Sequence, residues 1–219
     1  MLFIPIALLI FLLFILFLPA LLTLAYFHIV TLGFERLGIS SGATIFLLFL
    51  ILVGSCVNVP LTQKKLVYST RSRFFGLFRV PQVEIQGVAI NLGGGLLPIL
   101  LSFYFLFLLW KRGIELTPVL IAIFLMIILT KLLAKVIPGK GIALPFFIPP
   151  IFSAVFAFIL VPEFAAPAAF VSGVLGTLIG ADILNLRKAR RYGGYLSIGG
   201  AGVFDGIFLV GIVSALLAG

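Results

Sequence analysis

Long apolar runs separated by short polar loops dominate the chain. A hydropathy window of about 19 residues places spans at Leu2 to Val30, Thr44 to Pro60, Ile90 to Trp110, Pro118 to Val136, Ile142 to Val161, Ala165 to Leu186 and Ile198 to Leu217. The pattern predicts an all-α polytopic membrane protein of about seven transmembrane helices, with residues 1–219 forming one transmembrane domain. One long polar connection, Leu61 to Val88, carries Lys64, Lys65, Arg71, Arg73 and Arg79 interleaved with Phe74, Phe75, Leu77 and Phe78. Basic residues among aromatic ones read as an interfacial segment lying on lipid headgroups. Inside it, Val83 to Ile90 alternates apolar and polar residues around Gly87, which predicts a short strand or hairpin before the third span.

Composition agrees with the pattern: 63% of residues are apolar and 10% charged, too much Leu, Ile, Val and Phe for one soluble core. Twenty-four Phe against one Trp suit helices that face lipid. The first apolar run has no basic segment before it and is too long for a signal peptide, so it reads as a retained span. With seven spans, one side collects Lys64, Lys65, Arg71, Arg73, Arg79, Lys135, Lys140, Arg187, Lys188, Arg190 and Arg191. The other side holds Arg36, Lys111 and Arg112, diluted by Glu35, Glu115 and Glu163. The positive-inside rule then puts the N-terminus in the cytoplasm and the C-terminus outside. The net charge of +9 becomes a topology signal with affinity for anionic membrane lipid, and no nucleic-acid partner is needed.

The chemistry available is narrow. Cys56 is the single cysteine and His28 the single histidine, so no disulfide within the chain and no metal site is expected, and neither a zinc protease nor a Ser-His hydrolase has its residues. Gly93, Gly94 and Gly95 lack the Lys and Ser/Thr of a phosphate cradle, so no cofactor is indicated. Two residues stand out: Asp182 and Asp205, each inside a glycine-rich apolar segment. A carboxylate in hydrocarbon is expensive, by roughly 2.5 kcal/mol on insertion scales, so each is a functional-site candidate. Asp182 would lie roughly 7 Å above the cytoplasmic end of its helix, and Asp205 about 8 Å inside a helix starting near Gly199 or Gly200. Neighbouring antiparallel helices at matched depth could bring the two carboxylates together, sharing one proton. One carboxylate then acts as base on a water while the other donates to a scissile carbonyl. Two plainer roles compete: Asp182 could neutralise Arg187 on its own helix, and Asp205 could pair with Lys131. Asn58, Asn91 and Asn185, near predicted helix ends, read as caps or interhelical hydrogen bonds, and Pro145, Pro149 and Pro150 as a kink or break in the fifth span.

The stretch Gly200-Ala201-Gly202-Val203-Phe204-Asp205-Gly206, with Gly180-Ala181-Asp182-Ile183-Leu184 before it, resembles the GxGD-type intramembrane aspartyl proteases, the group of presenilin, signal peptide peptidase and prepilin peptidase. This chain has two further residues between the second glycine and Asp205, and Ala181 where presenilin-type enzymes carry Tyr. The resemblance implies catalytic roles for Asp182 and Asp205, and substrate contacts at Gly200, Gly202 and the Ala143-Leu144-Pro145 tripeptide. It also implies transmembrane or signal-like peptides as substrates. Over nearly its whole length the chain is similar to a prokaryotic family of uncharacterised multi-pass membrane proteins. The stretches that carry this likeness are Ile90 to Gly95, Ala143 to Pro150, Gly180 to Leu186 and Ser197 to Phe208. That likeness implies a cell (inner) membrane location and brings no activity with it. Two function classes follow: an intramembrane aspartyl protease or a non-cleaving relative, and a small transporter or channel using Asp182, Asp205 and Lys131 for protons or ions.

Overall fold

The computed structural model describes residues 6–63, 65–73, 78–138, 141–191, 194–200 and 205–219. Helices α1 (Ile6–Arg36) and α2 (Ser41–Ser55) come first, followed by strands β1 (Asn58–Pro60), β2 (Lys65–Arg73) and β3 (Phe78–Asn91). A π-helical turn, Leu92–Leu96, leads into α3 (Leu97–Lys111), and α4 (Thr117–Leu133) follows. The short pair β4 (Lys135–Ile137) and β5 (Gly141–Ala143) precedes α5 (Ile148–Leu160) and α6 (Ala165–Thr177). A second π-helical turn, Leu178–Ile183, joins α6 to α7 (Leu184–Arg190), and β6 (Tyr195–Ile198) and α8 (Gly206–Ala218) complete the order.

The all-α expectation is therefore corrected to a mostly helical fold that also contains sheets. Three helical stretches are long and apolar enough to cross a membrane: Phe14–Arg36, Leu92–Lys111 and Pro162–Arg190. The other apolar helices, Gly42–Ser55, Thr117–Leu133, Ile148–Leu160 and Gly206–Ala218, are shorter. At 1.5 Å per residue none of these four reaches the ~30 Å of a hydrocarbon core. They are shorter than the hydropathy runs because Pro60, Val136, Ile142 and Ile198 lie in β1, β4, β5 and β6. A hydropathy window scores an apolar residue alike in strand and helix, so it cannot see that boundary. In the fifth run the reason is local: α5 begins only at Ile148, with Pro149 and Pro150 in its first turn, where the missing N–H groups have no intrahelical partner to lose.

The polar connection read as an interfacial segment forms a hairpin of β2 and β3, paired antiparallel from Lys65 with Gln86 to Arg73 with Phe78. Arg71, Arg73 and Arg79 occupy strand positions, while Lys64, Phe74, Phe75 and Leu77 lie outside the described residues. The Val83 to Ile90 alternation falls inside β3, which is longer than expected because it has three partners. β1 pairs antiparallel with its end at Asn58 and Asn91, and β6 pairs parallel from Gly87 with Tyr195 to Ile90 with Ile198. Side chains lock this junction. Asn91 Nδ2 donates to Ser55 O at 2.8 Å and to Asn58 Oδ1 at 3.2 Å, while its own Oδ1 accepts from Gly94 N at 2.9 Å. Ser197 Oγ donates to the same Asn58 Oδ1 at 2.6 Å, tying β6 to β1 across the sheet.

The core is built around α6, whose residues are buried throughout apart from Pro167. Small residues let its neighbours approach closely, the main route to tight helix packing where lipid removes the hydrophobic drive. A side chain at Gly176 would meet the Met126 side chain and backbone of α4, and Thr130 Oγ1 on α4 donates to Gly176 O at 2.8 Å. Ser153 Oγ on α5 and Ser214 Oγ on α8 both donate to Ala169 O, at 2.7 and 3.0 Å. Phe170 stacks edge-on against Phe105 of α3, with ring centroids 5.5 Å apart.

Candidate functional site

Asp182 sits in the π-helical turn between α6 and α7. Such a turn adds a residue to the helix and throws its carbonyls out of α register, and it recurs at functional sites. Here the displaced carbonyls have identifiable partners. Asn185 Nδ2 donates to Ala181 O at 2.9 Å and to Gly180 O at 3.3 Å. Lys131 Nζ reaches across from α4 to Leu184 O at 2.9 Å and Asn185 Oδ1 at 2.7 Å. Lys131, weighed from the sequence as a partner of Asp205, thus directs its hydrogen bonds to the start of α7 and to neither aspartate. Its ammonium and the Asn185 amide brace the segment that carries Asp182.

Asp205 caps α8: its Oδ1 accepts from Ile207 N at 3.0 Å, satisfying one of the free N–H groups of the first turn. The sequence reading placed it about 8 Å inside a helix; α8 begins at Gly206, so Asp205 stands at the helix mouth. The cause lies upstream, where residues 195–198 pair with β3 as a strand instead of starting the helix. Gly199 then turns the chain with a φ of 71°, packed so closely on the Gly94 and Gly95 backbone that a side chain there would collide.

The two aspartates nevertheless line one cavity, of about 610 Å³. Among the described residues no hydrogen bond is made to the Asp182 carboxylate, which leaves its oxygens to the cavity. Leu144 and Pro145 form part of the wall, as do Tyr195, Ser197 and Gly200. Ala143 does not reach it: it sits in β5, opposite Lys135. Gly202, with Ala201, Val203 and Phe204, lies outside the described residues.

Thr177 was not singled out from the sequence, and it lines the same cavity. It is buried, and its Oγ1 has no hydrogen-bond partner among the described residues. The only clue available was a hydroxyl in an otherwise Gly, Ala, Val and Leu stretch. Thr177 stands five residues before Asp182, a spacing that an α-helix turns to different faces and that a π-turn brings closer together. His28, on α1, is exposed and far along the chain from this site. Among the described residues no three His, Cys, Asp or Glu side chains gather as metal ligands. The arrangement brings two carboxylates, the hydroxyl residues Thr177, Tyr195 and Ser197, and an apolar wall to one cavity.

Neither the curated proteins nor the solved structures give a match to this chain. Residues 52–217 match the family described as Protein of unknown function (DUF1614), and the chain belongs to that family.

Proposed function

We propose that the protein is an intramembrane aspartyl protease that cleaves transmembrane or signal-like peptides through an Asp182/Asp205 dyad. The observation that carries this reading is the cavity itself: two carboxylates from different elements line one space, with Lys131 engaged elsewhere. In this reading one aspartate, ionised, takes a proton from a water whose oxygen attacks the scissile carbonyl carbon. The other, protonated, donates to the carbonyl oxygen, and the resulting gem-diol collapses as a proton passes to the departing amine nitrogen. Leu144 and Pro145 offer an apolar wall for the substrate. This is the chemistry of the GxGD-type enzymes that the sequence around Asp182 and Asp205 resembles.

The membrane arrangement proposed with it has about seven spans, the four shorter helices crossing together with the loops and strands at their ends. In that arrangement the aspartates lie toward the cytoplasmic face of the cell (inner) membrane. The basic residues Lys135, Arg187, Lys188, Arg190 and Arg191, at the same end of the bundle as Asp182, support that orientation.

The test is a cleavage assay of the full chain in bilayer discs against a panel of single-span and signal-type peptides. Asp182→Asn and Asp205→Asn should each abolish cleavage, and Lys131→Met should retain it in whatever fraction remains folded. Cleavage that survives both aspartate substitutions overturns the proposal. Ion flux into vesicles that disappears in Lys131→Met as fully as in either aspartate variant would instead identify a transporter or channel.

A further inference from the structure

The start of α6 borders a second cavity, of about 840 Å³, lined by the ends of α1, α3 and α8 and by the start of α2. Ala166 lines it, whereas Asp182, sixteen residues on, lines the first; at 1.5 Å per residue the two are roughly 24 Å apart along the helix. The volume lies within the ~300–1,000 Å³ usual for small-molecule sites. Its wall is mostly apolar, and its charged side chains are Arg36, Arg112 and Glu163. Both arginines are held in place. Arg36 Nη1 donates to Gly219 O at 2.9 Å, and Arg112 lies over the Phe164 ring at 5.3 Å from its centroid. A guanidinium has five N–H donors, so one backbone bond or one ring contact leaves most of them for an anion. The side chains at the mouth, Phe46 and Tyr104, are 61% and 53% exposed, so the cavity opens on an apolar surface.

We propose that this cavity binds one anionic glycerophospholipid, its phosphate bridged by Arg36 and Arg112 and one acyl chain lying against Leu47, Tyr104 and Leu108. The ligand class follows from what lines the cavity. Two guanidiniums in one cavity suit the oxygens of a phosphate, and the apolar wall that they share suits a hydrocarbon chain that a free phosphate lacks. The site is separate from the aspartate cavity, so it stands whether or not the protein cleaves peptides.

Native mass spectrometry of the delipidated full chain, titrated with phosphatidylglycerol in mild detergent, tests the assignment. One lipid should bind with an affinity reduced about tenfold or more in R36Q/R112Q, a loss of at least about 1.4 kcal/mol. Ala43→Trp, which fills the cavity and leaves both arginines in place, should weaken binding comparably, and it carries the test if the double variant does not fold. Inorganic phosphate in millimolar amounts should not displace the lipid. The proposal is overturned if both variants bind as the parent does, if Arg187→Gln/Arg190→Gln at the other end of the bundle weakens binding equally, or if inorganic phosphate alone displaces the lipid.

Discussion

The 18-residue windows that mark Phe14–Arg36 and Pro162–Arg190 as spans have similar mean hydropathy, 2.1 and 1.7, yet 6% of the first window and 83% of the second is buried. Hydrophobicity therefore did not decide which helix stands at the centre. The difference is one of size and shape. The outer helix is rich in Leu, Phe and Ile, with Leu16 at 70% exposure and Leu24 at 67%, suited to hydrocarbon. The inner one is mostly Ala, Gly, Ser, Val and Thr along α6, which let four other helices close on it and leave hydroxyls and carbonyls to bond between helices. In water a helix is buried because it is apolar; where lipid is the solvent, the helix that packs tightly is the one inside. The inner span also carries Asp182 and Thr177, and it lies wholly within residues 52–217, which match the family, whereas α1 lies outside them.

The largest effect that would sharpen this contrast is on activity. Asp182→Asn on the inner span should lower turnover at least about a thousandfold, roughly 4 kcal/mol of transition-state stabilisation, with melting temperature in detergent changed little. Steady-state cleavage beside a thermal melt separates the two readouts. Next comes packing. Gly176→Val pushes a branched side chain into the Met126 backbone and side chain, and overpacking at such a contact should destabilise by up to about 3 kcal/mol. Reversible unfolding in mixed micelles would read it, and a neutral result would break the claim that small residues place this helix at the centre. Phe170→Ala should cost about 2 kcal/mol by the same measurement. With lipid as solvent the transfer term largely drops out, and the cavity term, about 24 cal/mol per Å³, remains.

Thr177→Val divides two roles of the same residue. Removing a buried hydroxyl with no partner should raise stability by about 1 kcal/mol; if the hydroxyl serves the site, cleavage falls while the melting temperature rises. A variant that loses both would show that Thr177 is bonded in the native protein. The smallest effect belongs to the outer span: Leu22→Ala, at a position 62% exposed, should change unfolding free energy by less than about 0.5 kcal/mol. A larger loss would mean that α1 is covered in the membrane by another surface.

Membrane character was legible in the apolar runs, and the span Ala165 to Leu186 lies inside the longer helical stretch Pro162–Arg190. The ends of the other runs were not, because Ile90, Val136, Ile142 and Ile198 are as apolar in a strand as in a helix, and only their partners decide between the two. The same holds for the site. Asp182 and Asp205 could be singled out as charges in apolar surroundings, but the role of Lys131 could not be read, since its partners on α7 are more than fifty residues away, nor could the cap on α8, since Asp205 opens that helix only because residues 195–198 pair with β3.

By itself the sequence determined the long apolar runs and singled out Asp182 and Asp205 as charges within them, because hydropathy and charge are properties of residues and their near neighbours. The tertiary structure alone decided that β6 would pair with β3, so that Asp205 opens a helix instead of lying within one, and that Asp182 would share its cavity. Strand pairing and the facing of two helices are relations between segments more than a hundred, or some twenty, residues apart, and no local pattern carries them.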